Sequence, residues 1–418
     1  MTIPLRSALV LILAGSALAN AEVSYQFAPK FLTPPTGMET IGNGHGEIQV
    51  DSTGKIYVSV EGQKEGGLQV YSPEGKFLTH LDVPGSLHGF SIRKSAAGEF
   101  IYASVLGQQK VIKATLDGKV VLEIPRESFP AEIADPVSVV LKDGLSVRGS
   151  KPTDAGDSLA ITLPTGDVRK IAKSDIARKG TATLKEGAKV EGINPEKDAE
   201  GVTLTVGGKA RRIAFADMAQ KDGKPAYAEG SSETRGGLKL TSTDAAPNGD
   251  IYVVDGYGTS WIFVFDSNGK FKKQFGGPGE PFKLANCHKV HIDTRFEPAR
   301  VFLCDRGNKR IMHATLEGEP LDVIATGLRG PSSASFNGDL VCIAEIGGCV
   351  SVWDKAGKQV ATLGNNTTAG QSNTPRVPPT DWRDDVVTSP HGITFDAKGN
   401  ILETEWNQFG RVLRWNRK

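Results

Sequence analysis

Short runs of alternating apolar and polar residues, separated by turns rich in Gly, Asp and Asn, cover most of the chain. One unit returns six times: an opening strand, a turn, a second strand, a loop, a third strand and a further turn. That further turn reads SPEGK, DSNGK and DKAGK in three of the units. Period-two alternation with Gly-containing turns predicts antiparallel β-strands, four to a unit.

The repeat predicts how these strands pack. A four-stranded sheet cannot bury both of its faces alone, whereas six such sheets arranged radially cover one another. We therefore predict an all-β fold, a six-bladed β-propeller. The last unit stops after its third strand at Trp415, so its outer strand is expected from the segment around residues 24–31, which would close the ring. An open solenoid, the competing interpretation, would leave both edges exposed.

A segment of different composition separates the second and third units. Within it VVLKDGLSVRG returns as ATLKEGAKVEG, which predicts a pair of small, barrel-like β modules inserted over residues 133–222. The propeller is then divided into residues 22–132 and 223–418, and the polar, Gly-rich residues 221–237 are expected to form a linker. We interpret the insertion as a lid or as a docking module for a protein partner.

The first residues and the overall charge bear on location and partners. One Arg, an apolar run over residues 8–14 and the small-residue pattern Ala19-Asn20-Ala21 predict a signal peptide over residues 1–21, and hence a periplasmic or secreted protein. A membrane anchor would need about 20 apolar residues, more than this run offers. The 49 basic and 48 acidic residues balance, so we expect neither a nucleic-acid partner nor a membrane span, but a small-molecule or peptide substrate.

Three histidines occupy one position of the repeat. His88, His288 and His391 open the innermost strands of the second, fourth and sixth units. The same position in the other units falls at Gly46, near Thr241 and at Ser332. Imidazoles on alternate blades would share one axis, which suits zinc or another divalent transition metal with a position left for water or substrate. The alternative is that each histidine only caps its strand.

Two further side chains are expected on the same face. The loop after the second strand carries Tyr257 in DGYGTSW of the third unit and Arg306 in CDRGNKR of the fourth. A phenol beside a metal can move a proton, and an arginine can hold a carboxylate through two parallel hydrogen bonds. The alternatives are that Tyr257 only packs in its turn and that Arg306 pairs with Asp305 or Asp255.

Other polar residues are given structural roles. Four histidines are predicted to lie outside the metal site: His45, His80, His291 and His313. The cysteines suit an oxidising compartment, and the preferred disulfides join Cys287 to Cys304 and Cys342 to Cys349. A thiolate metal site is the weaker alternative, because no CxxC spacing is present.

On these motifs the propeller portion resembles the NHL-repeat family and, within it, the peptidyl-α-hydroxyglycine α-amidating lyases. The matching stretches are LHGFSI, CHKVHI, PHGITF, DGY and the arginine turn. The resemblance implies a six-bladed propeller with zinc held by His88, His288 and His391, and with Tyr257 and Arg306 as catalytic residues. It implies cleavage of a carbinolamide C–N bond, which releases an amide and glyoxylate.

The chain departs from that family at two positions. Glu61 stands where the family has a second active-site arginine, and Gly392 stands where it has an aspartate that binds a structural calcium, so calcium is doubtful here. Two other functions remain open. One is a non-catalytic propeller that binds a protein or glycan, and the other is a lactonase-like metal-dependent hydrolase, whose usual Glu, Asn and Asp ligands the three histidines do not match.

Overall fold

The computed structural model describes residues 23–62 and 66–418, and the predicted signal peptide lies outside these ranges. The chain is all-β, with many small antiparallel sheets consistent with a propeller. The first three of its four-stranded sheets consist of Ile48–Val50, Ile56–Val60, Gly67–Tyr71 and Phe77–Leu81; of Leu87–Ser95, Gly98–Val105, Lys110–Thr115 and Val120–Ile124; and of Ser242–Ala245, Ile251–Val254, Trp261–Phe265 and Phe271–Gly276.

The other three four-stranded sheets follow in chain order. They consist of Cys287–Asp293, Arg300–Asp305, Arg310–Thr315 and Pro320–Thr326; of Pro331–Asn337, Leu340–Glu345, Cys349–Trp353 and Gln359–Leu363; and of Pro390–Phe395, Ile401–Glu405, Val412–Arg417 and Tyr25–Phe27. The strand that completes the sixth sheet therefore comes from the beginning of the described chain. Tyr25 lies opposite Arg417 and Phe27 opposite Trp415, within the segment from which the sequence predicts this strand.

The first strands of these sheets contact one another in a closed cyclic order. Each touches the first strand of the next sheet along the chain, and Ile48–Val50 touches both Leu87–Ser95 and Pro390–Phe395. The residues that open these strands therefore surround a common central channel.

A separate apolar core fills the space between each pair of neighbouring sheets. Successive side chains of a strand point to opposite faces of its sheet, so one strand contributes residues to two cores. In the second strand of the fourth sheet, Val301 and Leu303 pack towards the third sheet, whereas Phe302 and Cys304 pack towards the fifth. Side chains that alternate between two apolar faces are typical of a sheet covered on both sides.

The alternation also explains why the predicted disulfides are wrong. All four cysteines are free and buried. Cys287 packs in the core between the third and fourth sheets, and Cys304 packs in the core on the opposite face of the fourth sheet. Cys342 lies opposite Val352 on the neighbouring strand, so these two side chains share a face of the sheet. Cys349 lies three residues before Val352 in that strand, an odd number, so its side chain is on the other face.

Two five-stranded sheets lie between the second and third propeller sheets in the chain. One consists of Pro136–Val140, Ser146–Ala155, Ser158–Thr162, Val168–Ala172 and Thr234–Arg235, and the other of Arg178–Thr183, Lys189–Lys197, Gly201–Val206, Lys209–Ala214 and Tyr227–Ser231. The segment predicted as a linker, residues 221–237, therefore supplies the fifth strand of each sheet. It runs back past both modules and pairs with the first strand of each.

The remaining elements are short. Gln220–Lys221 pairs with Lys224–Pro225, and one α-helical turn spans Ala131–Ala134. The 3₁₀ turns are Leu106–Gln108, Arg126–Ser128, Lys173–Asp175, Phe215–Asp217 and Pro379–Asp381. Within the described ranges, no helix has both the length and the apolar character needed to cross a lipid bilayer.

Candidate metal and active site

A β-bulge places each of the three predicted metal histidines. In the fourth sheet Cys287 pairs with Asp305 and Lys289 with Cys304, so His288 between them is left without a partner. The pairing shifts in the same way at His88 and at His391. An extra residue in one strand bends it and re-aims its side chain, so each bulge turns an imidazole out of the sheet and into the channel mouth.

The other three sheets hold these imidazoles by their backbone carbonyls. His88 Nδ1 lies 2.9 Å from Thr241 O, His288 Nδ1 lies 2.7 Å from Ser332 O, and His391 Nδ1 lies 2.9 Å from Gly46 O. A carbonyl oxygen only accepts hydrogen bonds, so each Nδ1 must donate its hydrogen. In the neutral ring the proton is then on Nδ1, which leaves the Nε2 lone pair directed into the channel.

The structure brings the three rings together. Their centroids are 5.0 Å apart for His88 and His288, 4.9 Å for His88 and His391, and 4.7 Å for His288 and His391. All three are almost fully buried, and burial holds their pKa values well below the usual range because desolvation disfavours the charged form. Neutral imidazoles with fixed tautomers are the form that binds a divalent metal.

Tyr257 reaches this cluster from a turn that its neighbours fix. The Asp255 carboxylate accepts hydrogen bonds from Lys239 N at 2.6 Å and from Thr259 N at 2.7 Å. At Gly256 a Cβ would lie 2.3 Å from Cys287 O, so only glycine allows this close approach. The turn therefore projects Tyr257 towards the channel axis, and Tyr257 N donates to Lys239 O at 3.2 Å, on the chain that returns from the insertion.

The Tyr257 hydroxyl has too few hydrogens to donate a hydrogen bond to each imidazole nitrogen near it. It lies 3.1 Å from Nε2 of both His88 and His288, and 3.3 Å from Nε2 of His45. It has one hydrogen to donate, and the buried His391 Nε2 has no partner among the described residues. Several lone pairs therefore converge with one protein hydrogen between them, an arrangement that a cation would stabilise. Burial raises the pKa of Tyr257, and the Arg306 guanidinium opposes that rise.

Arg306 follows the second strand of the fourth sheet, as predicted. The Asp305 carboxylate is bound by Arg310 Nε at 2.6 Å, so Asp305 is paired without Arg306. The Arg306 guanidinium carbon lies 5.2 Å from the Tyr257 ring centroid, and its Nη2 donates to Asn286 Oδ1 at 3.3 Å. Its buried Nη1 has no partner in the part of the chain described. A donor is thus left for an anionic group at the mouth.

His45 also lies in this cluster, although the sequence predicts that it lies outside the metal site. The candidate donor atoms of His45, His88 and His391 all lie within 4.8 Å of one another. His45 Nδ1 is 3.1 Å from Glu61 Oε1, and its ring is 5.7 Å from that of Trp406. The repeat register does not identify His45 because this residue lies before the strand, in an irregular segment. Its position next to Gly46, which shares the register of the metal histidines, is the signal that the sequence offers.

The other three histidines lie elsewhere, as the sequence predicts. His291 approaches Asp244 and Arg93, His313 Nε2 lies 3.1 Å from Asp293 Oδ2, and His80 contacts Gly66 O. Each therefore has a local structural partner.

The residues beside Gly392 do not fit the calcium that the resemblance implies. A Cβ at Gly392 would lie 2.7 Å from Gly46 O and 2.8 Å from Glu47 Oε1, so Glu47 fills the space that an aspartate would need. The Lys289 ammonium lies 2.5 Å from Glu47 Oε2 and neutralises that carboxylate. A divalent cation here would have to displace a buried ammonium.

Comparison with known proteins gives distant likenesses. No protein-family model matches the chain. A structure of streptogramin B lyase is similar with a TM-score of 0.46 and 13% identity, covering 95% of this chain and 98% of that one. A structure of virginiamycin B lyase from Staphylococcus aureus gives a TM-score of 0.44 and 13% identity, covering 94% of this chain and 99% of that one. At these values neither likeness assigns an activity to this chain.

Proposed function

We propose that this chain is an exported, six-bladed propeller lyase that uses zinc or a related divalent metal. Its substrate would be an N-acyl α-hydroxyglycine or a similar carbinolamide, which it would split into an amide and glyoxylate. His88, His288 and His391 would hold the metal, Tyr257 would move the proton, and Arg306 would bind the carboxylate.

One observation carries the proposal: three neutral imidazoles from alternate sheets direct Nε2 into one channel mouth. The three intervening sheets hold them there by carbonyl oxygens. Imidazole nitrogens suit zinc, whereas calcium prefers oxygen ligands. The donor set therefore favours a zinc lyase over a calcium-dependent lactonase-like hydrolase.

The bound metal would supply a Lewis acid that polarises the substrate hydroxyl and carboxylate. Burial raises the pKa of Tyr257, and a bound cation beside its hydroxyl would lower that pKa; as phenolate, Tyr257 would then accept the hydroxyl proton. The electron pair of that O–H bond forms the C=O bond of glyoxylate as the C–N bond breaks. The amide nitrogen takes the departing electron pair and a proton, which the Tyr257 hydroxyl returns, so the reaction neither gains nor loses atoms.

Arg306 provides binding and orientation. Its guanidinium lies over the Tyr257 ring and retains a buried nitrogen without a partner among the described residues. A carboxylate bound there would place the adjacent carbinol carbon near the Tyr257 hydroxyl. Fixing a reacting group in this way lowers the entropic part of the barrier.

Metal content tests the first part of the proposal. Tag-free protein is expected to contain about one equivalent of zinc, as a three-histidine site would bind. His288→Ala should lose most of it, whereas His80→Ala, which removes a histidine outside the cluster, should retain it. Zinc-free wild-type protein that remains zinc-free after incubation with the metal would contradict the proposal and favour a non-catalytic propeller.

Product release tests the second part. With α-hydroxyhippurate, wild-type protein should release glyoxylate and benzamide, measured by chromatography. Tyr257→Phe should lower kcat by about 10²–10⁴-fold, because it removes the proton carrier, while the zinc content is unchanged. Zinc-loaded wild-type protein that releases no glyoxylate would refute the lyase, and an unchanged rate in Tyr257→Phe would refute the role of Tyr257.

A further inference from the structure

We infer that His45 is an additional ligand of the metal centre, held by Glu61, and that it is the ligand which a substrate can replace. The inference rests on the proposed metal centre and extends it to a residue outside the repeat. It follows from the positions of the donor atoms, the orientation of the His45 ring, the way the ring is held and its exposure.

The donor positions include His45 directly. Its candidate ligand atom lies within 4.8 Å of those of both His88 and His391. Its ring centroid is 4.8 Å from that of His88 and 5.1 Å from that of His391, close to the spacing among the other three rings. His288 is not a member of that group, so His45 stands on the opposite side of the His88 and His391 pair from His288, and a shared ion would draw the imidazoles closer together.

The orientation matches that of the other imidazoles. His45 Nδ1 faces the Glu61 carboxylate at 3.1 Å, and its Nε2 faces the Tyr257 hydroxyl at 3.3 Å. A carboxylate that accepts the Nδ1 hydrogen leaves the Nε2 lone pair for a metal and makes that nitrogen more basic. The three repeat histidines use a backbone carbonyl for the same purpose, so His45 differs from them in having a charged acceptor behind it.

The segment that carries His45 is fixed at both sides. Gly44 and Asn407 exchange two backbone hydrogen bonds of 2.8 Å, which join the segment to the sixth sheet. Asn43 Nδ2 donates to Glu61 Oε2 at 3.2 Å and Glu61 N donates to Asn43 O at 2.8 Å, so with His45 Nδ1 the segment contacts Glu61 three times. These contacts hold the imidazole in the cluster even though it lies outside any strand.

Exposure distinguishes His45 from the other ligands. Its side chain is 20% exposed, whereas His88 is 1% and His288 and His391 are each 2% exposed. Four imidazoles would complete a tetrahedral zinc site and leave no position open for substrate. Because a substrate arriving at the mouth meets His45 first, this is the donor it would displace.

Cobalt substitution tests the inference without relying on activity. Four-coordinate Co²⁺ absorbs visible light much more strongly than five- or six-coordinate Co²⁺. Wild-type protein loaded with Co²⁺ should give the strong four-coordinate spectrum. His45→Ala should bind zinc at least about tenfold more weakly and give a weaker spectrum, because more than one water can enter the vacated space and raise the coordination number, and Glu61→Gln should weaken zinc binding by roughly tenfold.

Two controls keep the outcome specific. Adding free imidazole to Co²⁺-loaded His45→Ala should restore the strong spectrum, which a loss of folding would not permit, and His80→Ala should behave as the wild type. An unchanged zinc affinity and cobalt spectrum in both His45→Ala and Glu61→Gln would overturn the inference and leave the three-histidine centre intact. Wild-type protein that binds neither metal would instead overturn the proposed function itself.

Discussion

Two neighbouring layers of the central channel solve the problem of buried polar groups in opposite ways. The first layer consists of the imidazole cluster, where lone pairs converge around the Tyr257 hydroxyl. The second consists of Lys289 and Glu47. Lys289 follows the proposed ligand His288 in the chain, and Glu47 follows Gly46, whose carbonyl oxygen holds His391.

The second layer is complete within the protein. Glu47 Oε2 accepts hydrogen bonds from Lys289 Nζ at 2.5 Å and from Ser333 Oγ at 2.7 Å, and its Oε1 accepts one from Ile393 N at 3.0 Å. Lys289 Nζ also lies 3.4 Å from Phe90 O. Five of the six sheets thus meet at one neutral ion pair.

The difference indicates where an added cation belongs. In the second layer the Lys289 ammonium already neutralises the Glu47 carboxylate, so a second cation there would be repelled by the ammonium. The first layer directs ring nitrogens towards one hydroxyl, with the Arg306 guanidinium over the Tyr257 ring and the Glu61 carboxylate beside His45. The proposed zinc would therefore bind in the first layer, where ring nitrogens and not an internal ion pair face the channel. The following three predictions test this contrast in order of expected effect.

The largest effect is expected from Lys289→Met. It leaves the Glu47 carboxylate buried without a countercharge, which should lower the free energy of unfolding by about 3–5 kcal/mol in denaturant titrations. Adding Glu47→Gln should recover much of that loss, because a neutral amide keeps the acceptor oxygen. Lys272→Met removes a half-exposed partner of Asp250 and should cost less than about 1 kcal/mol. Equal losses of unfolding free energy for Lys289→Met and Lys272→Met would show that the buried ion pair contributes no more to stability than an exposed one.

A smaller loss is expected from Gly392→Ala. The added Cβ would lie 2.7 Å from both Glu47 Cα and Gly46 O, and Gly46 O is the acceptor for His391 Nδ1. Overpacking of this kind costs about 1–3 kcal/mol and should also weaken zinc binding, since it moves the anchor of one ligand. Gly230→Ala, where a Cβ meets nothing within 4 Å, is the matched control. If Gly392→Ala and Gly230→Ala have the same free energy of unfolding and the same zinc affinity, the tight contact between the layers is contradicted.

No effect is expected from a reductant. Cys287 precedes His288 in the chain and Cys304 lies opposite Lys289, yet the two cysteines pack in cores on opposite faces of their sheet. The melting temperature should be the same with and without dithiothreitol, whereas a native disulfide would contribute about 2–4 kcal/mol. Thiol titration of the denatured, unreduced protein should find all four cysteines free. A reductant-sensitive melting temperature would show that a bond forms despite this separation.

The sequence predicts what the repeat controls. Alternation and turns place the strands of the four-stranded sheets, and the shared register brings His88, His288 and His391 to one channel mouth. It also predicts that Tyr257 and Arg306 lie on that face, because loops after second strands return to the side on which first strands begin.

Features outside the repeat are not predictable in the same way. His45 reaches the cluster through the backbone pairing of Gly44 with Asn407, a contact that no strand periodicity encodes. The bulge at His288 shifts the pairing by one residue, so Cys304 faces Lys289 and not Cys287. Thr234–Arg235 pairs with a strand far back in the chain, and so short a segment carries no strand signal of its own.

The pairing of Tyr25–Phe27 with Val412–Arg417 has a consequence for how the molecule is made. The outermost strand of this sheet must wait until the other five sheets have been synthesised, because its partner follows all of them in the chain. Until then that edge offers unpaired backbone groups to other chains, which is a route to aggregation. Ser24 O accepts a hydrogen bond from Lys418 N at 3.0 Å, which extends this pairing by one residue at the outer rim of the sheet.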